Sequence, residues 1–428
     1  MTDTIFALSS GVVPAAIAIV RVSGPVAFEA AEALVGPLPP PRRAGLRALR
    51  EPSSGELLDR GLVLAFPADG SVTGDDLVEF HLHGGRAVVR AVESALAVID
   101  GVRPALAGEF TRRSLASGRL DLTAAEGLAD LLSAETEAQR RAALRSADGL
   151  IRRQIEQWSA ATVAAAAQVE AAIDHEEEGD VGAGDTLARG VADQIATLVR
   201  DIEVVLSRPS SERLHDGLRV VLAGPPNSGK STLINALAER DVAIVSPIAG
   251  TTRDRIDAPV VRDGRAWLFT DTAGLTESDD QIEAIGVARA RESIAAADLV
   301  LWLGDGPPPS SEMIAVHARA DLPHRRHVPE GRIPASGTSV KGTAALWEAL
   351  GRAASTLVPA ADELALNNRQ RALANAAASA LRHADGQSDL LIAAEQLRIA
   401  RELFDRITAR ASVEHVLDAL FARFCIGK

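Results

Sequence analysis

The chain is short of cysteine, of long uncharged apolar runs and of positive charge, and each shortage removes a class of function. Cys425 is the only cysteine in 428 residues, so the chain forms no intramolecular disulfide and no cysteine-rich zinc site, which fits a reducing cytosol. With a formal net charge of -13 and a pI of about 5.3, contact with nucleic acid has to come from a local basic patch or from a partner protein. The early apolar run "IFALSSGVVPAAIAIV" follows Asp3 and has no basic segment before it, which argues against a signal peptide. The alanine-rich "SAATVAAAAQVEAAID" carries Gln168 and Glu170 and reads as a packed helix, not a membrane span. A cytoplasmic protein without a membrane segment is expected.

What is present is 47% hydrophobic composition, enough to bury large cores, over a length that suggests two to four domains. Residues 1–118 mix strand-like runs ("AIAIVRVSG", "DLVEFHLHGG") with a helical run ("RAVVRAVESALAVI") and a proline-rich connector, and read as a small α+β domain. Residues 119–215 are nearly all helix formers, interrupted by the acidic, glycine-containing "HEEEGDVGAGDT", and read as long helices with one loop. Residues 216–360 alternate short apolar strands with helical stretches, the pattern of an open parallel α/β sheet. Residues 361–428 return to helix. An α/β block flanked by helices on both sides is expected to be an insertion into one helical domain, giving a multidomain α/β plus α fold.

The inserted block carries the chemistry. "LRVVLAGPPNSGKSTLINAL" places a strand before Gly224-x-x-x-x-Gly229-Lys230-Ser231 and a helix after it, the context of a phosphate-binding loop. Glycines let backbone N–H groups converge on phosphates, Lys230 brings a point charge, and the Ser231 hydroxyl suits Mg²⁺. Further on, "TDTAG" ends a strand at Asp271, which can hold the Mg²⁺ shell through water, while the Gly274 N–H meets a γ-phosphate. Between them "GTTRD" lies where a switch loop would lie, with Thr251 and Thr252 as candidate ligands or ordinary loop residues. Two expected features are missing. Leu275 stands where many GTPases have the water-orienting glutamine. The guanine motif Asn-Lys-x-Asp is reduced to "ARAD", in which Ala318 and Arg319 replace the first two residues and Asp321 remains. "PASGTSVKG" resembles the loop that supports the base, with Gly337 where alanine is usual. Guanine is favoured over adenine, with weaker discrimination than a full motif gives.

The order "VTGDDLVEFHLHGG", "GRLDLTAAEGLADLL", "GPPNSGKSTLINAL", "IAGTTRD", "DTAGL" and "FCIGK" resembles the TrmE/MnmE family of tRNA modification GTPases along essentially the whole chain. The resemblance implies an N-terminal folate-binding and dimerisation domain (1–118), a helical domain in two halves (119–215 and 361–428) and a Ras-like P-loop G domain (216–360). It implies a homodimer that works with an FAD-containing partner, MnmG (GidA), to modify C5 of the wobble uridine of certain tRNAs, with tRNA bound largely through that partner. The one-carbon unit would come from 5,10-methylene- or 5-formyl-tetrahydrofolate.

The same resemblance assigns residues. GTP would be held by Asn227, Ser228, Gly229, Lys230, Ser231, Thr232, Ser246, Pro247, Ile248, Ala249, Gly250, Thr251, Thr252, Asp271, Thr272, Ala273, Gly274 and Asp321. Mg²⁺ would sit on Ser231 and Thr252, and K⁺ on the Asn227 side chain with backbone carbonyls of Ser246, Ile248 and Thr251. K⁺ then replaces an arginine finger, is completed when two G domains meet, and leaves water orientation to Glu283, which from sequence alone reads as a solvated helix-surface carboxylate. Folate would contact Arg21, Glu79, Arg119 and Lys428. Arg119 departs from a family lysine but keeps the charge, and Arg21 with Glu79 also reads as a strand-surface ion pair. His81 and His83 read as packing or hydrogen-bonding residues. Cys425 is either a participant in the chemistry or a small buried side chain. From a different class, a nucleotide-switched ribosome-assembly GTPase remains the alternative, and a G domain relaxed to other nucleotides is a third reading.

Overall fold

The computed structural model describes residues 3–178, 181–238, 242–243, 257–271, 292–338, 340–360, 362–385, 387 and 389–408, with backbone only at 175–178, 181–189, 242–243, 257 and 340–341. Two compact units result, Met1–Ala129 with Asp405–Lys428, and Asp130–Phe404.

The first unit is built on a six-stranded sheet. Its strands are β1 (Thr4–Leu8), β2 (Ile17–Ser23), β3 (Gly45–Arg50), β4 (Leu57–Phe66), β5 (Leu77–His83) and β6 (Val102–Pro104), in the order β3-β4-β5-β2-β1-β6. Because strand side chains alternate between faces, Val20, Val22, Val78, Phe80 and Leu82 turn to one side and are buried. Helices α1 (Ala27–Val35) and α2 (Arg86–Ala97) cover them with Ala27, Ala31, Leu34, Val89, Val92 and Leu96. The same alternation puts Arg21, Glu79 and His81 on the opposite face, and the antiparallel register sets Arg21 directly across from Glu79. Helix α3 (Glu109–Ala116) lays Phe110 against Ile5, Ala7 and Ala105. Helix α4 (Leu122–Ser133) starts at "DLT", where Asp121 Oδ1 accepts from the backbone N–H groups of Thr123 and Ala124. The "HGG" turn after β5 needs its first glycine, since a Cβ on Gly84 would stand 2.2 Å from the Ala15 carbonyl oxygen.

One charged hub lies inside this unit. Arg113 has a side chain 1% exposed and donates to the Asp3 carbonyl (2.9 Å), to Asp3 Oδ1 (3.0 Å) and to Glu109 Oε1 (3.2 Å). Arg103 grips the same two acids, at 2.5 Å to Asp3 and 2.6 Å to Glu109, and its hydrogen bond holds the Asp3 carboxyl below the usual range.

In the second unit, α5 (Glu137–Ala147) opens with a reciprocal cap between Thr136 and Gln139. Helices α6 (Leu150–Glu178) and α7 (Val181–Ser207) follow as a long hairpin. The loop expected at "HEEEGDVGAGDT" is mostly helix: glutamates are good helix formers, and the described helices leave only 179–180 between them. A seven-stranded sheet comes next, with α8 (Glu212–His215) leading into it. Its strands are β7 (Leu218–Ala223), β8 (Val242–Ala243), β9 (Asp257–Arg262), β10 (Arg265–Asp271), β11 (Leu299–Trp302), β12 (Ile314–Ala318) and β13 (Ile333–Ala335), in the order β13-β12-β11-β7-β10-β9-β8. The strands from β13 to β10 run parallel, and β9 and β8 add an antiparallel edge. Helices α9 (Lys230–Ala238) and α10 (Ala344–Leu357) cover the sheet through Leu233, Ile234, Leu237, Leu346 and Leu350, and Trp347 meets Trp267 and Phe269 edge-on at 5.5 and 5.6 Å. Helices α11 (Asn368–Asp385) and α12 (Leu390–Ile407) then pack with the hairpin, Trp158 lying 5.9 Å from Phe404. No helix among the described residues is long and apolar enough to cross a membrane.

Polar contacts seam helices to sheet within this unit. Arg371 donates to the Leu206 and Arg208 carbonyls at the end of α7 (2.6 and 2.7 Å), and Arg213 pairs with Asp298 at 2.7 Å. Gln139 Nε2 donates to the His215 carbonyl (2.9 Å). The His215 ring is nearly buried, its Nδ1 has no hydrogen-bond partner among the described residues, and Asp130 is 3.6 Å from Nε2. Burial therefore dominates and pushes the ring pKa from 6.5 down to about 4, against the opposing charge of Glu212.

Two outcomes follow from these groups. The unfolded chain takes up a proton at His215 below about pH 6.5 while the folded chain does not until about pH 4, so stability is full above 6.5 and falls by up to about 3 kcal/mol toward pH 4. Urea midpoints measured from pH 7 to 4 should fall less steeply in His215→Leu than in the parent chain. Replacing Arg113 by Met leaves the Asp3 and Glu109 carboxylates to the more exposed Arg103 alone, and the loss of the buried charge-assisted bonds should lower stability by about 1.5–3 kcal/mol in the same assay.

Candidate functional site

The second unit's sheet places the phosphate loop at the carboxyl end of β7, flanked by its parallel neighbours β10 and β11. Buried Leu218, Val220 and Leu222 fix the strand, Gly224 leaves it at φ +150°, and α9 begins at Lys230. Lys230 is buried, and its Nζ donates to the carbonyls of Gly224 and Pro225, both at 3.0 Å, closing the loop on itself. Burial holds its pKa below the usual lysine value, with the Asp271 carboxylate opposing. An ammonium has three donors, so one remains for an anion. Of the 45 basic side chains only Lys230, Lys341 and Lys428 are lysines, so the compact charge at the loop stands out in an arginine-rich chain.

Ser231 Oγ donates to Asp271 Oδ2 at 2.5 Å, joining the first turn of α9 to the end of β10. A hydroxyl and a buried carboxylate side by side at this edge are hard oxygen donors of the kind Mg²⁺ takes. Ser228 Oγ is buried without a hydrogen-bond partner among the described residues, so the loop holds a free donor for a phosphate oxygen. Asn227 is exposed and sits in the left-handed region at φ 59°. Thr232 lies beneath the base-side loop, where Gly337 is required: a Cβ there would stand 2.7 Å from the Thr232 carbonyl oxygen.

On the base side, Asp321 is exposed, and Ser336 Oγ donates to its Oδ1 at 2.6 Å. That bond, helped by Thr338, holds the Asp321 carboxyl below its usual range and leaves it an ionised acceptor at neutral pH. Arg319, which the sequence pattern marks only as a missing lysine, donates to the Asn227 carbonyl. No local pattern in the sequence signals that contact, since its partner lies 92 residues away.

In the first unit, Arg21 donates to Glu79 Oε1 through Nε and a terminal nitrogen, at 3.1 and 2.7 Å. Its guanidinium lies 5.7 Å from the Phe110 ring centroid. His81 Nε2 is 3.5 Å from the other Glu79 oxygen without a hydrogen bond, and His83 pairs with Asp59 at 2.7 Å. Arg119 is exposed and donates to the Ala68 carbonyl at 3.1 Å. A carboxylate for ring N–H groups beside a guanidinium and an aromatic face suits a flat heterocycle with an acidic tail.

The structure therefore brings together Asn227, Ser228, Gly229, Lys230, Ser231, Thr232 and Asp271 around one loop, with Asp321 on the neighbouring loops, and joins Arg21 to Glu79. Ser246, Pro247, Ile248, Ala249, Gly250, Thr251, Thr252, Thr272, Ala273, Gly274, Glu283, Cys425 and Lys428 lie outside the described residues. Among the described residues no group of three or more His, Cys, Asp or Glu forms a metal cluster, which the proposed Mg²⁺ and K⁺ ligands do not require.

Residues 4–119 match the family described as GTP-binding protein TrmE N-terminus, and residues 122–425 match the MnmE helical domain. The tRNA modification GTPase MnmE of Rhizorhabdus wittichii is 51% identical over 432 residues, covering 100% of this chain and 97% of that protein. The protein of the same name from Erythrobacter litoralis is 49% identical over 430 residues and covers both chains completely. Among solved structures, Aquifex aeolicus Era bound to GDP and aluminium fluoride is 27% identical, with a TM-score of 0.24, over 38% of this chain and 66% of that one. With two family domains matched end to end and full-length relatives near 50% identity, the chain belongs to the MnmE family.

Proposed function

We propose that this chain binds GTP with Mg²⁺, hydrolyses it, and uses the turnover in tRNA modification, the activity named in its relatives. The observation that carries the reading is the Ser231–Asp271 bond beside the buried Lys230, at the carboxyl end of a parallel strand. Lys230 and the amides of 227–232 hold the phosphates, Ser231 with Thr252 ligates the metal, Asp271 orients its shell, and Asp321 accepts from the guanine N–H groups. Mg²⁺, when bound, neutralises charge on the phosphate oxygens.

With leucine at 275, the charge that develops on the phosphates needs another stabiliser. We assign that role to K⁺ held by the Asn227 side chain and the carbonyls of Ser246, Ile248 and Thr251, and water orientation to Glu283. The exposed, left-handed Asn227 supports the assignment, because solvent exposure leaves its amide open to a cation. Arg21 and Glu79, with Arg119 and Lys428, are assigned to a tetrahydrofolate, and Cys425 is assigned a part in the modification chemistry. The domains proposed are 1–118 for folate and dimer formation, 119–215 with 361–428 for the helical domain, and 216–360 for the G domain. The functional unit is a cytoplasmic homodimer working with an FAD-containing MnmG partner, which carries most of the tRNA contact and supports one-carbon addition at the wobble uridine.

GTP hydrolysis by the purified chain should be several-fold faster in KCl than in NaCl at equal ionic strength, and Asn227→Ala should abolish the difference. Equal rates in both salts would remove K⁺ from the mechanism. Calorimetry with 5-formyl-tetrahydrofolate should show binding that Arg21→Ala and Glu79→Gln each weaken by about tenfold or more, a charge-assisted bond being worth about 1.5–3 kcal/mol. A chain that hydrolyses GTP but binds no folate would instead favour the ribosome-assembly switch.

A further inference from the structure

Helix α5 buries Gln139 and Ala143 and turns Glu137, Arg140, Arg141, Leu144, Arg145 and Asp148 to solvent. At helical spacing these fall in two adjoining rows, Glu137, Arg141 and Arg145 in one and Arg140, Leu144 and Asp148 in the other, so they make one face about 17 Å long. Gly149 then turns the chain into α6 at φ +84°, and the exposed Arg152 and Arg153 fold back over that turn. Their guanidinium nitrogens lie 3.5 and 3.6 Å from where a Cβ on Gly149 would stand, and Arg153 donates to the Asp148 carbonyl at 2.8 Å. Five arginines and two carboxylates therefore occupy residues 137–153 of a chain whose net charge is -13. Local pairing does not absorb the excess. Arg140 and Arg141 share the single carboxylate of Glu137, at 2.8 and 2.7 Å, and Arg145 has no ion-pair partner among the described residues. Helix stability accounts for only part of it: Arg145 in the last turn of α5, and the Arg153 bond to the Asp148 carbonyl, suit a helix end. Arg140, Arg141, Arg152 and Arg153 stand near the starts of α5 and α6, where the helix dipole favours carboxylates.

We propose that the solvent face of α5, continued over Gly149 by Arg152 and Arg153, is a docking surface for the phosphate backbone of RNA, so that this chain grips tRNA directly as well as through a partner. The surface rests on the proposed role in tRNA modification and adds to it where on this chain the RNA is held. Guanidinium forks suit it because each can meet two phosphate oxygens at once. Charges more than about 8 Å away are largely screened at physiological salt, so the local excess of arginine decides the approach of a polyanion and the acidic remainder of the chain does not. Residues 137–153 contain no aromatic side chain on which a base could stack, so the face holds backbone and does not read sequence.

The test is the anisotropy of fluorescently labelled tRNA titrated with the full chain, without partner, from about 50 to 200 mM salt. Two double variants, R141Q with R145Q and R152Q with R153Q, probe the face independently, and R398Q with R401Q removes the same charge from the exposed side of α12. Each of the first two should weaken binding by about tenfold and flatten the salt dependence by about one to two phosphate contacts, while the α12 pair stays within about twofold of the parent. Circular dichroism and GTP hydrolysis should match the parent in all three. Unchanged affinity and salt dependence in both α5–α6 variants overturns the surface, and so does an equal loss in the α12 pair, which would make the effect one of net charge. If poly-glutamate displaces the tRNA as well as unlabelled RNA does, the face suits an acidic protein segment and the RNA assignment fails. Wobble-uridine modification, measured in cells that depend on this chain for it, separates the two readings. A parent chain that restores the modification but binds no tRNA alone overturns the surface and leaves the tRNA role standing, whereas a parent chain that restores none overturns both.

Discussion

The bond from Ser231 to Asp271 is the constraint on which the nucleotide site depends, because it joins two elements that the chain separates by 40 residues. It can form only if β7 and β10 lie side by side and parallel with their ends level, so that the helix after one strand begins beside the last residue of the other. Buried Leu218, Val220 and Leu222 on one strand and Trp267 and Phe269 on the other enforce that alignment. A one-residue slip would turn each apolar set to the sheet's other face, so the core that stabilises the sheet also sets the two oxygens proposed for the metal side by side. Packing and chemistry are specified by the same register.

The first unit uses register in the same way with antiparallel strands. Arg21 and Glu79 meet because Val20, Val22, Val78 and Phe80 must face the helices, which leaves the intervening residues on the other face. The motif glycines serve this arrangement, since Gly84 is a place where the chain passes too close to another backbone for any side chain. Much of what marks this unit in sequence is therefore architectural, and the charged pair is what the architecture presents.

How far the sequence discloses the structure depends on how local each feature is. The phosphate loop is legible because strand, glycines, lysine and helix are consecutive, and the two sheet-bearing blocks show in short apolar runs, while their six and seven strands emerge only from the pairing. The helical hairpin is less legible: glycines in "HEEEGDVGAGDT" suggest a loop, but long flanking helices pack against each other and carry most of that stretch. Arg113 with Asp3, and Arg319 with Asn227, are invisible in sequence because their partners are 110 and 92 residues away and arginine is common throughout the chain. The unusual pKa of His215 is hidden for a related reason, since burial is a property of the packed helices and not of "ERLH".

Around the reduced guanine motif, tertiary contacts hold the loops where the pattern is incomplete. Alanine at 318 offers no side-chain bond, yet its carbonyl accepts from Arg325 Nε at 2.9 Å, and Arg325 also pairs with Asp305 in the loop after β11. Arg332 donates to the carbonyls of Gly304 and Val316, tying that loop to the next strand. The ends of β11 and β12 are thus fixed by arginines reaching from the following loop. A position fixed from outside tolerates change within it, provided Asp321, the residue proposed to meet the base, keeps its charge. Asp321 does so through Ser336, which lies on the next loop and not in the motif. What the motif supplies by sequence elsewhere is here distributed over tertiary contacts, and a reading limited to four consecutive letters undervalues the site.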